Sequence, residues 1–248
     1  MLVRTPPSEC WSLALASLGM ALTCCSHANG SPHIRATEER SEGLTCTDFE
    51  DMEVGQPPRA FTGALTGGGP PGSWAVRVDP GAAGAKLLAQ TSSDDTDYRF
   101  PVCVLDGFSA RDVTASVRFQ AREGEIDRAA GVIVRYRDAG NYYITRANAL
   151  EDNVRLYRVV DGQRQQFAGE NKTVSAGEWH RLRLDVSGDR FAVFFDGELL
   201  FTATDDTFAD AGKIGVWTKA DSVTWFDDLC YGPVLADSPA LAPSGRSR

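Results

Sequence analysis

The stretch NYYITRANALEDNVRLYRVVDGQRQQ, residues 141–166, interleaves aromatic rings with guanidinium, amide and carboxylate groups. Successive side chains of an extended chain point to opposite faces, so Tyr142, Ile144, Arg146 and Asn148 share one face of YYITRAN. Further along, KIGVWTK puts Gly215, Trp217 and Lys219 opposite the apolar pair Ile214 and Val216. In GVIVRYR, Arg135 and Arg137 share another face. Carbohydrate recognition uses this combination, because a ring stacks on the C–H face of a pyranose while charged and amide groups hydrogen-bond its hydroxyls. The candidate contacts to an oligosaccharide or polysaccharide are therefore Arg135, Tyr142, Arg146, Asn148 and Trp217. Glu151 and Asp152, in the LEDN connection beside that face, could supply a base or a ligand. The same residues also suit an aromatic plug that closes a sheet, with arginine stems lying along it. Both readings stand at this point.

Other groups carry less chemistry. Glu123, Glu125 and Asp127 of EGEID would face one side if extended, but Gly124 and the adjacent AREG favour a solvated loop. His180 is the sole histidine between residues 44 and 232, so a Ser-His-Asp arrangement fails on inventory, and its place in a W-H strand suits packing. Gly67-Gly68-Gly69-Pro70-Pro71-Gly72 lacks a following Lys-Ser/Thr and reads as a mobile loop, not a phosphate cradle. Asp48 and Glu50 near the start of the domain, with Asp227 and Asp228 near its end, could meet if the terminal strands pair. Hard carboxylate oxygens of this kind suit Ca²⁺, so Asp48, Glu50 and Asp228 are candidate ligands of a structural calcium.

The elements that must position these groups are strands. DVTASVRFQ alternates Val113, Ala115, Val117 and Phe119 with polar residues, and HRLRLDV and RFAVFFDGELLF repeat the pattern. No window offers an apolar stripe of helical period. Asp161-Gly162 and Asp196-Gly197 between β-rich runs are hairpin turns. Many short strands in residues 44–232 mean a two-sheet sandwich or a barrel. Residues 233–248, rich in Pro, Ala and Ser, are expected to be a disordered tail.

The chain has 248 residues and a formal net charge of −9. Binding to nucleic acid or to anionic membrane needs clustered Lys and Arg, so neither is expected. After Arg4, WSLALASLGMALTCC is shorter than the roughly 20 apolar residues of a spanning helix and precedes the small-x-small pattern Ser26-His27-Ala28. Residues 1–28 therefore read as an export signal and 29–43 as a polar linker, giving a secreted or periplasmic monomer. The alternative is a lipoprotein anchored at Cys25. No other segment could span a membrane. Cleavage leaves Cys46, Cys103 and Cys230, spaced too widely for a zinc knuckle. Terminal strands of a compact β domain often lie together, which suggests a Cys46–Cys230 disulfide with Cys103 buried.

SAGEWHRLRLDVSGDRFAVFFDGELLF followed by FADAGKIGVWTKADSVTWFDDL resembles the closing half of concanavalin A-like, laminin-G-like jelly rolls, with their G-x-W-H-x-L strand, DG hairpin and terminal F-D-D. GVIVRYRDAGNYYITRANALEDNVRLYRVVDG resembles the bacterial family of 3-keto-disaccharide hydrolase domains, and the resemblance extends over about residues 45–231. It implies an all-β fold, a concanavalin A-like jelly-roll sandwich of two antiparallel sheets. The superfamily hosts glycosidases, lectins and adhesion modules, so three functions follow as expectations. The first is glycan binding on the concave sheet. This chain lacks the E-x-D-x-x-E motif that supplies jelly-roll glucanases with paired carboxyls, which favours binding. The second is cleavage of a 3-keto-disaccharide, in which the ketone acidifies the neighbouring C–H. Lys219 or Arg146 would be the electrophile and Glu151 or Asp221 the base. The third is adhesion through a protein surface.

Overall fold

The computed structural model describes residues 43–81 and 85–241. The expected export signal, Cys25 and all but the last residue of the linker lie outside the described residues, as does the tail from 242. The strands are β1 (Thr45–Thr47), β2 (Phe61–Gly67), β3 (Trp74–Val78), β4 (Lys86–Gln90), β5 (Arg99–Leu105), β6 (Val113–Glu123), β7 (Ala129–Asp138) and β8 (Asn141–Asn148). The chain continues through β9 (Asn153–Val160), β10 (Gln163–Asn171), β11 (His180–Ser187), β12 (Arg190–Phe195), β13 (Glu198–Thr204), β14 (Lys213–Trp217) and β15 (Val223–Gly232).

They form two antiparallel sheets, as the resemblance implies. One has eight strands, β13-β12-β11-β6-β15-β4-β3, with β1 added beside β15. The other has seven strands in the order β10-β9-β8-β7-β14-β5-β2. The neighbours β14 and β5, and β15 and β6, are distant in sequence, which is the crossing-over of a jelly roll. Alternation builds the core between the sheets: Val117 and Phe119 of β6 and Leu182 and Leu184 of β11 meet Val132 of β7 and Val216 of β14, all fully buried. Burying such side chains stabilises by about 1.5–3 kcal/mol each, which is why a strand of period two keeps its register.

Two irregularities matter for the site. The β7–β8 register shifts between Val134 and Asp138, and Arg135 sits there with φ of 49°. This bulge takes Arg135 out of the alternation. Its guanidinium is buried and donates to the carbonyls of Arg111 (2.8 Å), Phe208 (2.7 Å) and Gly188 (2.6 Å), so it ties three loops together and is not available to a sugar. The GGGPPG loop is also more constrained than its composition suggests. Buried Arg99 donates to the carbonyls of Pro70 (2.7 Å), Pro71 (3.1 Å) and Ala220 (2.6 Å).

Residues 233–241, expected to begin a disordered tail, return to the eight-stranded sheet. The Leu235 amide donates to Thr114 Oγ1 at 3.2 Å, Ser238 and Ala240 are buried, and a short 3-10 turn spans Pro239–Leu241.

A disulfide joins Cys46 and Cys230, directly paired residues of β1 and β15, and Cys103 is a buried free thiol. Burial pushes the Cys103 thiol well above its ordinary pKa, which leaves it unreactive. The bridge closes a loop with a sequence separation of 184 residues. In the chain-entropy account such a loop stabilises by up to about 5 kcal/mol. Cys46→Ser should therefore lower the unfolding free energy measured in denaturant by a few kcal/mol. Peptide mapping without reductant should find Cys103 unlinked; a bridge through Cys103 would contradict the strand order.

Candidate functional site

The face of the seven-stranded sheet turned away from the main core carries a second apolar cluster built on Phe100, Ile133, Tyr142, Ile144, Tyr157 and Trp217. Tyr142 and Trp217 lie on the face that alternation assigns them, but neither is open to solvent. The Trp217 indole stacks on Phe100 with centroids 5.3 Å apart and planes at 24°. Gly131 sits in register between Trp217 and Arg146. A Cβ there would come within 2.5 Å of Ile144 Cδ1 and 2.9 Å of the Thr145 carbonyl oxygen, so only glycine leaves room. The Tyr142 hydroxyl pairs with Thr66 Oγ1 at 2.8 Å, and burial pushes its pKa up.

The cover comes from distant parts of the chain. The seven-stranded sheet curls until β10 reaches the segment before β5, where the Tyr98 hydroxyl donates to the Gly162 carbonyl at 3.0 Å and accepts the Arg164 amide at 2.8 Å. The Arg164 guanidinium then lies 4.5 Å from the Tyr157 ring centre, 4.7 Å from Phe100 and 5.7 Å from Trp217.

At the other end of this face the side chains are charged. Arg146 is nearly fully buried and donates to Asn153 Oδ1 (2.8 Å), Glu151 Oε2 (2.8 Å) and the Tyr157 hydroxyl (3.1 Å). The Glu151 side chain keeps 48% exposure. Its partial burial would raise its pKa, but hydrogen bonds from Arg146 and Asn153 outweigh that and hold the carboxylate below the usual range. Asn148 donates to Asp127 Oδ1 at 2.8 Å. Asp127 Oδ2 lies 2.9 Å from Lys219 Nζ, which also meets Asp97 Oδ1 at 2.7 Å. Burial raises the Asp127 pKa against the opposing pull of Lys219. Lys219 is itself partly desolvated, yet Asp97 and Asp127 raise its pKa and keep it charged.

Arg146, Asn148, Glu151 and Lys219 thus lie at one end of this face, with Trp217 in the apolar cluster of the same face. The Lys219 charge is felt at Glu151, and that of Glu151 at Asp127. Asp221 is not part of this constellation. Its carboxylate accepts the amides of Glu125 (2.6 Å), Ile126 (3.1 Å) and Asp127 (2.9 Å). Those bonds overcome the effect of burial and lower its pKa, which makes Asp221 a brace for the β6–β7 loop and a poor base. Asn153, Tyr157, Arg164, Asp97 and Asp127 belong to the constellation without having been selected from sequence. Tyr157 was accessible by the same period-two count that selects Tyr142, whereas Asp127 carries no local signal because the EGEID loop gives no hint of burial. His180 packs on Phe195 with centroids 4.9 Å apart and its Nδ1 lies 2.8 Å from Asp196, a packing role.

The calcium candidates Asp48, Glu50 and Asp228 are engaged by protein groups, beginning with the Glu50 amide, which donates to Asp48 Oδ1 at 3.3 Å. Glu50 Oε1 accepts the Lys86 amide at 2.9 Å, and Arg118 Nη1 lies 3.5 Å from both Asp227 and Asp228. Among the described residues no group of three or more acidic, histidine or cysteine side chains converges. Burial, and then the adjacent Asp228 carboxylate, push the Asp227 pKa from 3.8 up to about 7. The folded protein therefore binds more protons than the unfolded chain across that interval, and this group's contribution to stability falls as pH rises from about 4 to about 7. Asp227→Asn should flatten the melting temperature between pH 4 and pH 8 and raise it at pH 8. An unchanged pH profile would contradict the burial of a charged Asp227.

Among curated proteins, levanase from Bacillus subtilis is 26% identical over 117 residues, which are 46% of this chain and 17% of levanase. The chain thus spans a minor part of that relative. Among solved structures, the carbohydrate binding module CBM66 from Bacillus subtilis superposes with a TM-score of 0.54 at 20% identity, covering 70% of this chain and 95% of the module. Domain 4 of AbnA, a GH43 extracellular arabinanase from Geobacillus stearothermophilus in complex with arabinotriose, superposes with a TM-score of 0.51 at 14% identity, covering 78% of this chain and 94% of that domain. At these identities the likeness is one of fold, and it is the jelly-roll fold described above. The family model matches residues 78–229, from the end of β3 into β15 and across every group of the candidate site, and the chain belongs to the family of the 3-keto-alpha-glucoside-1,2-lyase-like domain.

Proposed function

We propose that this domain binds carbohydrate at the rim of the outer face of the seven-stranded sheet, with the half-exposed Glu151 carboxylate as the principal acceptor for sugar hydroxyls. The carrying observation is the way Glu151 is held: Arg146 and Asn153 fix one oxygen, Oε2, at 2.8 and 3.0 Å. The other oxygen is left to the ligand. A carboxylate oriented by buried partners receives a hydroxyl without losing side-chain freedom at that moment, which is how preorganisation raises affinity. The Asp97–Lys219 pair extends the same polar rim. A carbohydrate binding module and an arabinotriose-bound domain of the same fold support this reading.

The family description favours a second reading, elimination from a 3-keto-glucoside. There a base takes the proton at C2, the C3 ketone carries the developing charge, and the C1–O bond breaks to give a C1–C2 double bond and a protonated leaving group. The nominated bases suit this less well. Asp221 is saturated by backbone amides, and Glu151 is held ionised with a lowered pKa, which weakens it as a proton acceptor.

Export and a monomeric state complete the proposal. A disulfide between terminal strands suits an oxidising compartment, and no helix among the described residues is long and apolar enough to cross a membrane.

Calorimetry with neutral, acidic and 3-keto oligosaccharides, combined with product analysis, tests the reading. The expected outcome is binding without turnover. Glu151→Gln should weaken binding by about 10-fold or more, the usual effect of losing a charge-assisted hydrogen bond. Because Arg146 is buried and would lose its counter-charge while keeping a neutral acceptor in Gln, the melting temperature should fall by several degrees, and binding is compared at a temperature where both proteins are folded. Turnover of the 3-keto sugar that Glu151→Gln abolishes would replace this reading with the elimination.

A further inference from the structure

Arg164 differs from the other buried or half-buried arginines of the seven-stranded sheet. Arg99, Arg135 and Arg146 each place their guanidinium N–H groups on carbonyl, amide or carboxylate oxygens. Among the described residues, the Arg164 guanidinium makes no hydrogen bond and no ion pair; its contacts are the faces of Tyr157, Phe100 and Trp217. Its Nη1 is shielded from solvent and has no acceptor. A chain with 34 Asp and Glu against 25 Lys and Arg has no shortage of carboxylates. Those closest in the constellation are already committed, Glu151 to Arg146 and Asp97 and Asp127 to Lys219.

The ring contacts hold the cation in place but satisfy none of its in-plane donors. The Nε–Nη2 edge of this half-buried guanidinium, which has no partner among the described residues and is not sealed as Nη1 is, presents a planar pair of N–H groups complementary to a planar two-oxygen acceptor. We infer that Arg164 is a specificity residue for a carboxylate-bearing sugar, a uronate unit whose carboxylate pairs with the guanidinium while its hydroxyls reach the Glu151 rim. This rests on the carbohydrate reading above and narrows its ligand class. The net charge of −9 opposes an anionic ligand only at long range, and salt at about 0.1 M screens that repulsion beyond about 10 Å. The contact with Arg164 is short and screened much less.

The test compares matched neutral and acidic ligands: galacto- and gluco-oligosaccharides against oligogalacturonate and oligoglucuronate of equal length, by calorimetry at about 50 and about 500 mM salt, where the Debye length is about 14 and about 4 Å. The full chain should prefer one of the uronates over its neutral counterpart by about 10-fold or more, the size of a charge-assisted bidentate contact, and keep most of that preference at the higher salt. Arg164→Gln should close the gap between the acidic and neutral partners, lowering uronate affinity by about 10-fold more than it lowers neutral-sugar affinity, and Arg164→Lys should retain part of the preference. Equal binding of the neutral and acidic partners by the unaltered protein would overturn the inference and leave the carbohydrate reading standing. Failure of every sugar to bind would remove both. If Arg164→Gln does not fold, the preference of the unaltered protein and its salt dependence decide alone.

Discussion

The stacking of Trp217 on Phe100 under the Arg164 guanidinium is the contact on which the outer face of the seven-stranded sheet depends. A sheet with one face packed on a core normally leaves its other face to water. Here both faces are buried, because the sheet curls and the Tyr98 hydroxyl joins the turn after β9 to the segment before β5. The aromatic rings thereby become a second core, and the polar groups at its end are held by partners that cannot move independently. Arg146 is positioned by the sheet, Asn153 by the next strand, and Glu151 by both. The loops on this side are set by the same means, Asp221 by three amides and Arg99 by carbonyls from two loops.

Charge follows the same logic of fixed partners. Buried cations and anions are costly unless they are paired and hydrogen-bonded. The row Asn148, Asp127, Lys219, Asp97 meets that condition and ends at solvent, with the Asp97 side chain 75% exposed. Charge is thus led from a sealed position to the rim. At the seam of β1 and β15 the condition is met less well, since Asp227 faces Asp228 with Arg118 as the shared cation.

Much of the fold was legible because period two is a local property. The alternation in YYITRAN and KIGVWTK assigns faces correctly, and pairing of the terminal strands places Cys46 opposite Cys230. Exposure is not local, and it was not legible. Whether Trp217 lies open or sealed is decided by Tyr98 and Arg164, more than fifty residues away in the chain, and nothing in KIGVWTK records them. Arg135 escaped a simple count because a bulge with positive φ breaks the alternation on which that count relies. Asp127 was hidden in an acidic, glycine-containing loop whose composition suggests solvent. Of the calcium candidates, Glu50 receives the Lys86 amide and Asp228 faces Arg118, contacts that emerge only from the pairing of strands.

The outer aromatic cluster is a core, and the proposed sugar site lies at its rim. Thermal or denaturant unfolding of Trp217→Ala measures this most directly. Truncating a fully buried tryptophan should cost about 3–5 kcal/mol of stability, with disruption of the Arg164 contact visible as increased accessibility of β10 in hydrogen exchange. A Trp217→Ala protein that keeps its stability and loses only sugar binding would contradict the account and make the indole an open platform for the ligand.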